Sequence, residues 1–380
     1  MSPRVRREYV QAITRRYKHA LKQYKSKILD EFCQVCGSNR KYAIDKLSKY
    51  QSTKPKKKPG KPSIYNQPQV VEALKKVWLT ANLPCSKRLV ALLPNWLPFL
   101  PNLSDEVKNK LLKISAPTID RLLKPIKAKH NHRGFCATRP GTLLRKSIPI
   151  KLDQWNEFKP GFLESDTVHH CGSSMAGQYA ITVDTVDIAS GWTEARATWG
   201  IGHTGVLNQI KDIELSLPFK LLGLDSDCGG EFINLALVNY LTNRPVDPVQ
   251  FTRSRPYHKN DNAHIEQKNW THIRQWLGYY RFDNPEVVPL LNDLYKTEWS
   301  ALHNFFLPSV KLIEKNRIGS QTIKKHDAPK TPYQRLLESD HIDAQSKLDL
   351  TEKFKKLNPF KLRQAIEDKL KIIFKFTNTP

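Results

Sequence analysis

The spacing of apolar residues changes period along the chain. Between residues 4 and 50, Val10, Ile13, Tyr17, Leu21 and Tyr24 recur at steps of three and four, which is one face of a helix. A break falls at Cys36-Gly37-Ser38-Asn39, and the spacing resumes over Arg40–Leu47. Helix, Gly-containing turn and basic helix fit a helix-turn-helix, with Arg40 and Lys41 opening the second helix; a plain helical hairpin fits equally. Residues 67–130 predict four more helices: Pro68–Thr80, Ser86–Trp96, Ser104–Ile114 and Pro117–Ile126. In the last, Ser115 suits an N-cap, Pro117 suits the first turn, and Arg121 and Lys124 form a basic face. That helix is a second candidate for reading DNA.

From residue 160 the period falls to two. Gly161–His170, Gln178–Val186 and Trp192–Trp199 read as strands, the last after a turn at Ala189-Ser190-Gly191. A helix follows at 203–216, then a buried strand Lys220–Leu224, a helix Glu231–Leu241, a short strand Val249–Arg253 and a long helix Asn262–Tyr280. Two hairpin connections followed by crossover helices predict an α/β core with a mixed five-stranded sheet, preceded by all-α modules. The expected organisation is a helical module at 1–51, a Lys/Pro linker at 52–66, a second helical module at 67–130, and a basic connector at 131–159. The core spans 160–282, and a helical or irregular region of unread function fills 283–380. The linker sequence STKPKKKPGKP should be extended, because proline removes helix hydrogen bonds and like charges repel.

Charge sharpens this picture. The chain of 380 residues has a net charge of +26. Residues 1–160 hold 35 Lys and Arg against 10 Asp and Glu, so nearly all the excess lies in the first two-fifths. A one-sided excess of this size points to a polyanion, with nucleic acid first, because neutralised phosphates release counterions. No apolar run approaches the ~18–20 residues of a membrane span, and the basic N-terminus lacks the apolar core of a secretion signal. A cytoplasmic, nucleoid-associated protein is therefore expected. Of six cysteines, only Cys33 and Cys36 have ligand spacing; without a second ligand pair they read as small semi-buried residues rather than a zinc site.

Acidic residues supply the candidate chemistry. Asp166 falls inside the first strand, in FLESDTVHH, where strand propensity is poor and an acid needs a cation or a donor. Glu164 shares its face at period two. Asp225 and Asp227 lie at the mouth of the fourth strand, in LDSDCGGEF. Glu266 falls in the second turn of the last helix, with Asn262 and Asn269 about one turn to either side. Acids on three separate elements suit divalent-metal phosphoryl chemistry, since Mg²⁺ prefers hard oxygen ligands. Asp184, Glu164, Asp225 and Glu231 are rivals, Glu231 being expected to cap the helix after it. Trp192, Trp199 and Trp276 read as core residues.

The stretches ESDTV, YAITVDTVDIASGWTEARA, LDSDCGGEFIN and TRSRPYHKNDNAHIEQKNW resemble the ribonuclease-H-like integrase core shared by retroviral integrases and the Asp-Asp-Glu transposases of bacterial insertion sequences. The resemblance covers about a third of the chain. It implies that Asp166, Asp227 and Glu266 are the catalytic and metal-binding residues, holding two Mg²⁺ ions with Mn²⁺ as a substitute. It also implies contacts to DNA from His258, Lys259, Asn262, Asn269 and Arg274. Cys228 stands where many family members have Asn. The retroviral zinc module has no counterpart in residues 1–60, which favours the transposase branch. The implied function is a DNA transposase that binds element ends, cleaves a strand and joins it to target DNA, acting as a homo-oligomer on DNA. The alternatives are a structure-selective nuclease of the same fold and a catalytically inactive DNA-binding regulator.

Overall fold

The computed structural model describes residues 2–49, 64–127, 157–226, 231–232, 234–253, 263–318 and 321–377. Most of the expected linker and connector, and Asp227, His258, Lys259 and Asn262, lie outside these residues. The chain divides into two compact units, Met1–Ser63 and Ile64–Pro380.

The first unit is a three-helix bundle of α1 (Pro3–His19), α2 (Lys22–Cys36) and α3 (Arg40–Lys49). Val10, Ile13, Ile28, Leu29, Phe32, Ala43 and Leu47 form its core. Gly37 takes the left-handed conformation (φ +61°) that ends α2, and its N–H donates to the Cys33 carbonyl, the turn the Gly position predicts. Asn39 then accepts from the Tyr42 N–H at 2.8 Å and opens α3. Cys33 and Cys36 are free and half-buried in this turn.

The second unit is built on a five-stranded sheet of β1 (Phe162–His169), β2 (Ala180–Asp187), β3 (Thr193–Trp199), β4 (Gly223–Ser226) and β5 (Gln250–Arg253). Its order is β3-β2-β1-β4-β5. β1 and β3 run antiparallel to β2, whereas β4 and β5 run parallel to β1 and to each other. Two hairpins followed by two crossovers, through α8 (His203–Ser216) and α9 (Leu235–Thr242), generate this mixed sheet. It is the ribonuclease-H-like arrangement expected from the sequence. Leu163, Val183, Leu224 and Phe251 pack one face of the sheet onto Val206, Ile210, Ile213, Leu237 and Leu241 of α8 and α9.

The long helix expected over 262–280 runs without a break through 263–277, but it widens midway. α10 (Ala263–Lys268) passes into a wider π-helical turn, Asn269–Arg274, and then α11 (Gln275–Leu277). α10 lies over β1 and β2. It is followed by α12 (Val287–Leu294), a second π-helical turn at Tyr295–Trp299, and α13 (Ser300–Phe306). The open edge of β3 is closed by side chains instead of a strand. The Asn304 amide accepts from Thr193 N–H at 2.9 Å and donates to Thr193 C=O at 2.8 Å. Asn292 does the same at Ala197, at 2.8 and 2.9 Å. Sealed in this way, the Thr193 and Ala197 peptide groups are not free to pair with another chain.

Helices α4 (Pro68–Thr80), α5 (Ser86–Trp96), α6 (Asp105–Leu112) and α7 (Ala116–Lys127) belong to this second unit. Their apolar faces share one buried cluster with α11 to α13 and with the C-terminal helices α14 (Pro332–Glu338), α15 (Ala344–Lys355) and α16 (Pro359–Ile373). Trp96 is fully buried there, its indole N–H donating to Phe306 C=O at 3.2 Å. Arg88 donates to Pro308 C=O at 2.5 Å. Each fully buried Leu or Phe in such a cluster contributes on the order of 2–3 kcal/mol. Between α13 and α14 the chain forms a β-hairpin, β6 (Leu312–Ile318) and β7 (Gln321–His326), in a region expected to be helical or irregular. Among the described residues no helix is long and apolar enough to cross a membrane.

Candidate active site

Asp166 lies in the middle of β1, the central strand. Its Oδ1 accepts from the Thr167 N–H at 2.8 Å, and its Oδ2 accepts from the Asn269 side-chain amide at 2.6 Å. Asn269 is the first residue of the π-helical turn. One extra residue in a helical turn re-aims side chains, and such turns cluster at functional sites. The helix carrying Glu266 is tied down a second time, because Ile265 N–H donates to Glu164 Oε2 at 3.0 Å. These two contacts bracket Glu266 and lock α10 along β1. The Glu266 side chain is exposed, while Ile265 and Lys268 beside it are buried.

The second expected acid follows β4. Ser226, the last residue of that strand, is in register with Ser165, the neighbour of Asp166. Asp227 is the next residue in the chain and lies outside the described residues. Asp225, one of the rivals, is the register partner of Glu164, is buried and accepts a hydrogen bond from Thr252 Oγ1. Glu231 does not cap α9. Asn234 does, accepting from the Leu237 N–H at 2.8 Å. Glu231 instead accepts from Thr167 Oγ1 at 2.7 Å and sits 3.8 Å from His169 Nε2. Burial pushes its carboxyl up, but the nearby His169 ring and the Thr167 hydrogen bond outweigh this and hold it below the usual range.

Asp184 is the residue the sequence undervalued. It is the cross-strand partner of Asp166 and is fully buried. Directly opposed residues of an antiparallel pair share a face, with Cβ atoms about 5 Å apart. Among the described residues no donor meets either of its carboxylate oxygens, nor does any hydrogen meet the buried Oδ1 of Asn269. Burial drives the Asp184 carboxyl well above its ordinary value; the Lys268 charge opposes this and the Asp166 charge adds to it. Lys268 is itself buried, and burial, assisted by the Arg88 charge, brings its pKa down to about 7. Its Nζ contacts His272 Nε2 at 3.2 Å and Gly191 C=O at 3.5 Å.

Asp166 and, on the helix lying over it, Glu266 present carboxylate oxygens, which are hard donors. The donor types around Asp166 therefore fit Mg²⁺ or Mn²⁺. Among the described residues no three His, Cys, Asp or Glu side chains form a metal cluster by themselves; Asp227 stands outside that set. The expected DNA-contacting residues differ in their surroundings. Arg274 donates to His169 C=O at 2.8 Å and stacks over the Tyr279 ring, so its guanidinium closes the end of β1. Asn269 has its amide on Asp166. Arg40 pairs with Asp30 and bonds Ser26 on α2. Arg121 bonds Thr118 of its own helix at 3.0 Å, whereas Lys41 and Lys124 are exposed. Trp192 and Trp276 are buried and Trp199 is half-buried, as core positions require.

No family model matches the chain. The chain is 37% identical over 346 residues to the uncharacterized protein y4rM of Sinorhizobium fredii (strain NBRC 101917 / NGR234), covering 88% of this chain and 96% of y4rM. The chain belongs to the y4rM family. Among solved structures, this y4rM-family chain is similar to a chain of the simian T-cell lymphotropic virus intasome in complex with the PP2A regulatory subunit B56 gamma. That match has 13% identity and a TM-score of 0.33, covering 61% of this chain and 70% of that one. It is also similar to the catalytic core domain of BIV integrase, with 18% identity and a TM-score of 0.28, covering 48% of this chain and 96% of that one. At these values the fold of the y4rM-family chain rests on its own strand order and crossovers.

Proposed function

We propose that the chain is a metal-dependent DNA transposase: it binds the ends of a mobile element, cleaves a strand to free a 3′-hydroxyl, and joins that hydroxyl to target DNA. The observation that carries this reading is the pairing of Asn269 with Asp166. It fixes the glutamate-bearing helix against the central strand carrying an acid at its middle. Two bound Mg²⁺ ions, with Mn²⁺ as a substitute, would activate the attacking hydroxyl or water and stabilise the leaving 3′-oxygen.

Asp166, Asp227 and Glu266 are the residues that would hold those ions. Asp166 is held with both oxygens oriented, one by its neighbour's N–H and one by Asn269. Glu266 keeps an exposed carboxylate on a helix whose flanks are anchored, so it would be open to a metal ion from solvent. Asp184 remains buried and protonated more readily than an ordinary carboxyl, which limits negative charge beside Asp166. The bundle of residues 3–49 and the α6–α7 pair supply basic helices for gripping phosphates and reading element ends in the manner of a helix-turn-helix. Joining two ends requires a homo-oligomer on DNA, in the cytoplasm with the nucleoid.

The test is purified protein with labelled candidate ends and Mg²⁺ or Mn²⁺. Strand transfer supports the reading. Nicking of branched DNA alone would favour a structure-selective nuclease, and binding without cleavage an inactive regulator.

A further inference from the structure

The β6–β7 hairpin is unlike the rest of the second unit. Among the described residues of 312–326, none belongs to a buried apolar cluster. Ile313 and Ile323 are 63% and 54% exposed, and Glu314, Asn316, Lys324, Lys325 and His326 are exposed as well. An isolated two-stranded hairpin is marginal in water, and this one pairs like with like: Lys315 is the register partner of Lys324. Four cations, at 315, 317, 324 and 325, stand against one acid, Glu314, which is engaged by the Asn316 amide at 2.5 Å.

Its root, by contrast, is firmly built. Lys311 N–H donates to Asp327 Oδ1 at 2.6 Å, and Asp327 is clamped by Arg335 of α14. Ser309 and Lys330 exchange both backbone bonds, at 2.9 and 3.1 Å. Lys311 Nζ reaches Ala189 C=O at 2.8 Å, in the same β2–β3 turn whose Gly191 C=O receives Lys268 from the glutamate helix. A fixed base carrying the exposed Lys324 and Lys325 is poised for an external anion.

We infer that this hairpin is a second nucleic-acid grip, a basic β-ribbon that takes the phosphate backbone of duplex DNA. A two-stranded ribbon has the width to lie along a duplex groove, and phosphates would neutralise the exposed Lys324 and Lys325. The inference deepens the transposase reading by naming a DNA-contacting surface on the catalytic unit itself.

The experiment is binding of the full chain to random-sequence duplex across a salt series without divalent metal. For K315A/K324A the plot of log affinity against log salt should flatten by about two, at about 0.9 per lost contact, while K315R/K324R keeps the wild-type slope. K324A/K325A, which changes only exposed side chains, should flatten similarly and decides the matter if the first pair is poorly folded. Wild-type slopes in both Ala pairs overturn the inference. The assay involves no cleavage, so that result leaves the strand-transfer test of the transposase reading standing, and a failure of strand transfer leaves this one standing.

Discussion

The side-chain amide of Asn269 donates to Asp166 Oδ2 across 103 residues of sequence. It joins the first residue of a π-helical turn to the middle of the central strand. The bond orients the Asp166 carboxylate and fixes the rotation of the helix that carries Glu266 one turn earlier. A residue acting through another in this way positions the site without touching the reacting atoms.

Replacing Asn269 with Ala should therefore lower Mn²⁺ affinity and strand cleavage by about 10–100-fold. Thermal unfolding should be little changed, because the Ile265–Glu164 contact still holds the helix. Wild-type metal affinity in N269A, read by titration of bound Mn²⁺, would show that Asp166 does not depend on this bond.

The sealed edge of β3 gives a stability prediction. Asn304→Ala removes both partners of the Thr193 peptide groups, and the cost of leaving buried backbone unpaired is about 1–3 kcal/mol per group. Urea denaturation should show a loss of at least ~2 kcal/mol. An equally stable variant would mean that water replaces the amide.

Buried histidines predict an acid-sensitive fold. Burial holds His303 at about 3, and burial with neighbouring cationic groups holds His170 and His272 well below their ordinary value. In the unfolded chain each binds a proton near pH 6.5, so the unfolded state holds more protons below that pH. Stability then falls with falling pH, by about 1.4 kcal/mol per pH unit for each His, until the folded pKa is reached. His303→Phe should make the decline between pH 6.5 and 5 shallower by that amount in urea unfolding curves. Parallel wild-type and variant curves would contradict it.

The legible parts of this molecule were those where one residue type conflicts with its local setting. Asp166 inside a strand and the change of period at 160 both signalled the sheet and its central acid. Gly37 marked the turn between α2 and α3 because only a left-handed residue ends that helix cheaply. What periodicity cannot supply is the partner of an apolar face. The helices of 68–127 showed their stripes plainly, but nothing local told that Trp96 would meet Phe306. Asp184 read as one acid among several, since its burial and its place opposite Asp166 depend on strand register. The β6–β7 hairpin is rich in Lys and poor in alternation, so its sequence carries little strand signal. The π-helical turn at Asn269 is equally silent, because its neighbours have ordinary helix-forming sequence.

The central claim is that carboxylates at 166, 227 and 266 jointly hold divalent metal. The most direct measurement is a crystal of the chain grown with Mn²⁺, with the anomalous signal mapped. The account predicts a peak within about 2.3 Å of oxygens from Asp166 and Asp227 or Glu266, lost in E266Q or D166N crystals. Manganese bound elsewhere, with those three side chains too far apart to share an ion, would contradict it.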